Sequence, residues 1–303
     1  MELNYLKNID TIRQAEMKIP PNVYAIGDIH GKWQTIRNLY ELNKDVFSGI
    51  RPNVLILLGD AGLNYFLNER DEKTKAQLGK YPFTYFAIRG NHEERPSILA
   101  EKYSDKWHTE IFWGNTVYVE NDFPYIKYAL DEVALYKIPY IQCDEENESL
   151  LSWNEYKTLV IPGAYSVDKQ YRLQNGWSWF EGEQLTAAER ERGLDLIHSL
   201  GNEVDLVLSH TCPIIFEPTD LFLSFIDQSQ VDKTMERYLG NIEYQLQYNT
   251  WLWGHYHAYR QYPLVDGDGK RLMLYDDAAV EVCKYIEDTK GITFPFYFTR
   301  KDN

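Results

Sequence analysis

His255 and His257 stand one residue apart in TWLWGHYH, directly behind an apolar run. In an extended segment residues i and i+2 point to the same side, so both imidazoles could reach one site while Tyr256 faces away. Similar placements recur along the chain. After VYAI comes GDIHG, with Asp28 and His30; after VLILL comes GDAG, with Asp60; after TYFAI comes RGNHE, with Arg89, Asn91 and His92; after VDLVL comes SHTCP, with His210. Imidazole nitrogen, carboxylate oxygen and amide oxygen are the donors that divalent transition metals accept. A single GD dipeptide is noise, and a lone histidine at a strand end is more often a hydrogen-bonded structural residue. Five such events in sequence are a different matter.

The elements that must position these residues are legible in outline. The runs VYAI, VLILL, TYFAI, TLVI, VDLVL and TWLW are short, rich in β-branched or aromatic residues, and continuous rather than alternating. That pattern predicts strands buried on both faces, as in α/β layering. Ligands bind outside the carboxyl ends of strands in open α/β sheets, and glycine lets the backbone approach a bound ion closely there. Helical spacing follows Gly31 (Trp33, Ile36, Leu39, Tyr40) and runs from Glu183 to Leu200. Residues 117–140 read as short antiparallel strands or hairpins, and PLVDGDGKRLMLYDD as a hairpin with a Gly-rich turn. VDGDGK is no calcium loop, because Lys270 stands where an oxygen ligand is required. The acidic stretch 141–156 reads as an exposed excursion. No clean domain boundary is visible, so residues 1–303 are expected to form one domain.

Composition narrows the partners. The formal net charge is −15, which disfavours an extended nucleic-acid-binding face but leaves room for a small anionic substrate at a locally positive or metal-bearing site. Aromatic residues reach 15%, which fits core packing more readily than ligand stacking. The cysteines Cys143, Cys212 and Cys283 are odd in number and lack CxxC spacing, as expected in a reducing cytoplasm. No apolar leader and no run long enough to span a membrane is seen, so no membrane partner is expected.

Taken in order, GDIHG, GDAG, RGNHE, SH and GHYH resemble the five motif blocks of the calcineurin-like metallophosphoesterases, over the span from Asp28 to His257. The resemblance implies an α/β fold in which a two-sheet sandwich is flanked by helices in four layers, with a binuclear metal centre at one edge. It implies Asp28, His30 and His257 at a first metal, Asp60 bridging both, and Asn91, His210 and His255 at a second. Two ions about 3.5–4 Å apart can share a carboxylate and a hydroxide and clamp both oxygens of an in-line displacement. Mn, Fe, Zn and Ni all suit such donors, with Mn the first choice in vitro. His92 is implied to stand beside the leaving-group oxygen as a proton donor; the alternative is that it supports Asn91. Arg89 offers a bidentate fork for phosphate; its alternative is a salt bridge to Glu93 or Glu94. Glu93 is read as orienting a neighbour, and His108 and His198 as structural or surface residues.

The second block departs from the branch of Ser/Thr protein phosphatases and diadenosine tetraphosphatases, which carries GDxVDRG. Here Leu63 replaces the aspartate that would pair with the catalytic histidine, and Asn64 replaces a phosphate-binding arginine. Asn64 could hydrogen-bond His92 or substrate. Recognition could otherwise come from the loop GAYSVDKQYRLQNGWSW: Tyr165, Arg172 as a substitute clamp, and Trp177 or Trp179 stacking on a base or sugar. Packing within the loop is the alternative. The expected activity is phosphomonoester hydrolysis on a small phosphorylated molecule or phosphopeptide. A phosphodiesterase acting on nucleotides or nucleic acid ends, and a non-catalytic scaffold, are the alternatives.

Overall fold

Each of the six apolar runs forms a strand. The computed structural model describes residues 20–143, 151–263, 270–282 and 296–298. One sheet contains β1 (Asn22–Ile26), β2 (Asn53–Leu57), β3 (Phe83–Ala87), β4 (Trp107–Phe112), β5 (Asn115–Glu120), β6 (Ile126–Tyr128), β13 (Ala278–Glu281) and β14 (Phe296–Phe298), in the order β14-β13-β1-β2-β3-β6-β5-β4. The other contains β7 (Ala134–Cys143), β8 (Leu151–Ile161), β9 (Leu206–Ser209), β10 (Thr250–Trp253), β11 (Arg260–Pro263) and β12 (Lys270–Met273), in the order β11-β12-β10-β9-β8-β7. Both sheets are parallel in the middle and antiparallel at their margins.

Side chains alternate between two faces of each strand, and each face has a cover. Val23, Ala25, Val54 and Ile56 of the first sheet meet Leu206, Leu208, Leu252 and Leu272 of the second in one buried layer. Tyr24, Ile26, Leu55 and Leu57 point outward onto Ile36 and Leu39 of helix α1 (Trp33–Leu42), Phe47 of α2 (Lys44–Phe47), Leu78 of α3 (Glu69–Leu78) and Leu99 of α4 (Pro96–Lys102). The second sheet turns Val207, Trp251 and Trp253 onto Ile197 of α6 (Ala187–Ser199) and Met235, Leu239 and Ile242 of α7 (Thr234–Gln245). A short α5 (Lys169–Asn175) lies between β8 and α6. The result is helix, sheet, sheet, helix. It explains why the central strands read as unbroken apolar runs, since neither face meets water.

Two expectations change and a third holds. The excursion over 141–156 is mostly sheet: residues 141–143 finish β7 and 151–156 open β8, leaving only 144–150 outside the described residues. The acidic composition there concealed a long hairpin in which Tyr140 and Tyr156 stack at 3.9 Å. The helix predicted from Glu183 starts at Ala187, because Thr186 and Glu189 close a reciprocal capping box there. The C-terminal hairpin is present as antiparallel β11 and β12, its Gly-rich turn lying outside the described residues. Among the described residues no helix is long and apolar enough to cross a membrane.

Leu252 is fully buried between the sheets. Leu252→Ala is expected to cost ~2–5 kcal/mol in denaturant unfolding, whereas Ile50→Ala, at a position 93% exposed, should stay within ~0.5 kcal/mol of the parent.

Candidate metal centre

Because β1, β2 and β3 are parallel, and β9 and β10 are parallel, their carboxyl ends deliver the loops 27–31, 58–62, 88–93, 210–213 and 254–258 to one edge of the sandwich. The loops turn sharply. His30, Asp60, His255 and His257 have φ of 47°, 44°, 73° and 53°, a left-handed region that L-residues seldom adopt outside functional sites. The extended geometry expected for GHYH is therefore wrong: the segment coils, and its two histidines go to different places. Two glycines permit the loops to touch. A Cβ on Gly254 would lie 2.3 Å from Asp28 Oδ1, and one on Gly90 would lie 2.0 Å from Asp60 Oδ1.

Asp28, His30 and His257 form one group, with ligand-capable atoms all within 4.8 Å of one another. His30 Nε2 and His257 Nε2 face each other at 2.7 Å, and His257 Nε2 is 3.5 Å from Asp28 Oδ2. The backbone N–H of His255 donates to Asp28 Oδ1 at 3.0 Å, while Oδ2 is buried with no hydrogen-bond partner. Burial pushes the Asp28 carboxyl up to about 8 and His30 down to about 4, and it also lowers His257. A desolvated carboxylate beside neutral imidazoles is the donor set a divalent cation takes, and an ion there would reverse the penalty on Asp28.

Asp60, Asn91, His210 and His255 gather beside it. Asp60 Oδ1 accepts from the backbone N–H of His92 at 2.9 Å, and Oδ2 lies 3.6 Å from His210 Nε2 and 3.7 Å from His92 Nε2. His210 donates from Nδ1 to the carbonyl of Leu58 at 2.8 Å, which turns Nε2 toward Asn91 Oδ1, also at 2.8 Å. Two acceptor atoms so placed require something positive between them: a proton on Nε2 or a cation. Burial opposes charge on both Asp60 and His210, yet their attraction wins. With His92 and His210 beside it, Asp60 is held well below the usual carboxylate range, and His210 is raised to about 9. The His255 ring packs 5.0 Å from that of His210. Asn91 Nδ2 donates to Ser166 Oγ at 2.9 Å, fixing the amide with its oxygen inward.

His92 stands at the opening. Its Nε2 accepts from Arg172 Nη2 at 3.1 Å; Arg172 also donates from Nη1 to Tyr65 OH at 2.7 Å and from Nε to Asp168 Oδ2 at 2.8 Å. Burial lowers the His92 pKa; Asp60 opposes this and Arg172 reinforces it. His92 and Asp60 line two cavities. One, of 270 Å³, also takes in His30, Tyr65, Phe66, Arg70 and Arg172; the other, of 410 Å³, takes in Asn91, Tyr165, His255 and His257.

The structure thus brings together Asp28, His30, Asp60, Asn91, His92, His210, His255, His257 and Arg172. It does not bring Arg89 to the opening. That side chain is buried against Asp131, 3.3 Å from Nε to Oδ1, and donates to the carbonyl of Glu183 at 2.9 Å. It ties β3 to the second sheet's loops, and its ion-pair partner is neither Glu93 nor Glu94. Asn64 is buried beside Arg89, Glu93 and Tyr128, away from His92. Trp177 is half-exposed against Tyr171 and lines neither cavity, and Trp179 packs within its loop through Glu183 and Lys169. Glu93 accepts from the backbone N–H groups of Leu63 and Gly90, so it orients those loops. His108 and His198 bond to Asn121 and Gln245 on the surface. Sequence reading missed Tyr65, Ser166 and Asp168. Ser166 and Asp168 lie behind a strand end, as the ligands do, whereas Tyr65 reaches Arg172 across 107 residues with no local signal.

The sequence profile described as calcineurin-like phosphoesterase matches residues 21–259, and the chain belongs to that family. It is accordingly a metal-dependent phosphoester hydrolase, with Asp28, His30 and His257 as a group able to hold a divalent ion. No curated protein sequence matches. Among solved structures, TT1561 of Thermus thermophilus superposes with a TM-score of 0.51 at 10% identity, over 93% of this chain and 100% of that one. The phosphopantetheinyl hydrolase of Mycobacterium tuberculosis gives 0.39 at 12% identity, over 90% and 93%. A 5'-nucleotidase precursor from Thermus thermophilus gives 0.42 at 11% identity, over 86% of this chain and 50% of that longer one. At such identities the first of these likenesses speaks for the fold, and the other two carry no argument.

Gly90→Ala and Gly254→Ala should each weaken metal retention ~10–100-fold by displacing Asp60 or Asp28. Metal analysis after loading and desalting reads this, and an unchanged far-ultraviolet spectrum separates it from unfolding.

Proposed function

We propose that this chain is a phosphomonoesterase working with two transition metal ions, Mn foremost in vitro, on a small phosphorylated molecule or phosphopeptide. The observation that carries this reading is the position of Asp60. Fully buried, it interacts with His30 of one donor group and with His210 of the other, as a shared carboxylate must. When bound, two such ions supply Lewis acidity to the phosphoryl group and to the attacking water.

The chain's own residues do the rest. Asp28, His30 and His257 would hold one ion and Asn91, His210 and His255 the other, with Asp60 available to both. Arg172 takes the place in which Arg89 was expected: its guanidinium faces the cavity shared with Asp60 and His92, and its planar fork suits phosphate oxygens. Asp168 and Tyr65 hold that fork in place. His92 is oriented by the bond from its backbone N–H to Asp60, and once Arg172 turns from it to phosphate its Nε2 is free to hold a proton for the departing oxygen. Arg172, Arg70 and His92 around one opening favour the extra charge of a monoester dianion. A diester reading draws support from the two cavities that meet at Asp60 and His92, which leave room for a substituent on either side. The cysteine usage supports a cytoplasmic setting.

The test is a metal-loaded panel of aryl monoester, aryl diester, nucleotide and phosphopeptide. The monoester should turn over fastest, and chelation should abolish turnover. Faster diester turnover overturns the monoesterase reading, and no turnover of any phosphoester overturns the hydrolase reading. His92→Ala should lower kcat by ~10²–10⁴ with metal content unchanged. Arg172→Lys, which keeps the charge and loses the fork, should raise KM for the monoester by at least ~10-fold.

A further inference from the structure

The larger cavity has a chemistry of its own. It is lined by Asp60, Asn91, His92, His255 and His257 of the metal centre and also by an apolar set that includes Leu221, Phe222, Leu223 and Ile226. Leu221 and Leu223, in the turns between β9 and α7, are 46% and 53% exposed. Apolar side chains held open to water in a cavity shared with such polar groups mark a binding surface rather than a leftover of packing.

Charge sharpens the reading. Lys233 is the one lysine or arginine among the described residues lining this cavity. It is neutralised by Glu217 at 2.6 Å and lies over the Phe222 ring at 4.6 Å. Asp232 accepts from the uncharged donors Gln184 Nε2 and the Thr234 backbone, and, against burial, Arg190, which does not line the cavity, helps to lower its pKa. Glu236 accepts from Thr211 Oγ1. A second anionic group on the ligand would therefore meet carboxylates and, among the described lining residues, no free cation. The arginines Arg70 and Arg172 line the other cavity.

We propose that this groove receives the organic part of the substrate, and that the substrate is a phosphoester whose leaving group is an uncharged hydrocarbon, alkyl or aryl. Nucleotides and other multiply charged phosphates are disfavoured. The head-group assignment rests on the phosphoesterase reading above; the groove's preference does not.

The experiment measures binding to the Mn-loaded full chain by titration calorimetry, with octylphosphonate, methylphosphonate and 3-phosphonopropionate as probes. Octylphosphonate should bind at least ~10-fold more tightly than methylphosphonate, since several methylenes leave water. The carboxylate-bearing probe should gain nothing over methylphosphonate. Leu221→Asp and Leu223→Asp, both at exposed positions, should each shrink the octyl advantage below ~3-fold while leaving methylphosphonate affinity unchanged. Equal affinity for octyl- and methylphosphonate, or an octyl advantage that survives both variants, overturns the proposal. Octyl phosphate turnover is read in parallel. If the binding preference holds and no phosphoester turns over, the hydrolase reading falls and the groove stands.

Discussion

Two carboxylates, Asp28 and Asp60, are carried out of water at the rim of a β-sandwich, and most of the local structure is the means of holding them there. An isolated buried carboxylate costs several kcal/mol even after relaxation. Nothing local to GDIHG or GDAG could bear that cost. The three apolar layers can, because they clamp the strands whose ends carry these residues. The same constraint explains the company the carboxylates keep. Backbone N–H groups of His92 and His255 hold one oxygen of each, histidines surround the other, and glycines at 90 and 254 leave no Cβ in the way. The left-handed turns at His30, Asp60, His255 and His257 follow from the same demand, since side chains from parallel strands must bend back toward a common point.

Much of this was legible in the chain. The strands showed because double-sided burial forces continuous apolar runs, and the ligand candidates showed because each follows such a run. What the sequence concealed depended on tertiary partners. Arg89 sits inside a motif and looks available, but Asp131 and the carbonyl of Glu183 claim it. Arg172 stands out in its loop as a substitute clamp, but its reach to His92 across 80 residues has no local signal. Trp177 has the right chemistry for stacking and the wrong position. The hairpin of β7 and β8 was masked by acidic side chains, because composition reports solvent exposure more readily than pairing.

The exchange of one arginine for another also accounts for the departure at Leu63 and Asn64. With neither an aspartate nor an arginine there, charge reaches His92 from elsewhere in the chain. It comes through Arg172, with Asp168 behind it and Tyr65 beside it. A clamp mounted on a short helix and an adjoining loop is easier to alter than one embedded in a core strand end. On the proposed reading, specificity and chemistry then sit on separate parts of the fold.

The donor groups draw on both sheets: Asp28 and His30 follow a strand of the first, and His257 follows a strand of the second, 227 residues after His30. An ion held by all three is therefore a rivet between the two halves of the sandwich. Such a rivet cannot be set while either half is unmade. The three donors come together only once strands of both sheets are in place. Metal capture is then an event of completed topology, and it reports that the chain has closed.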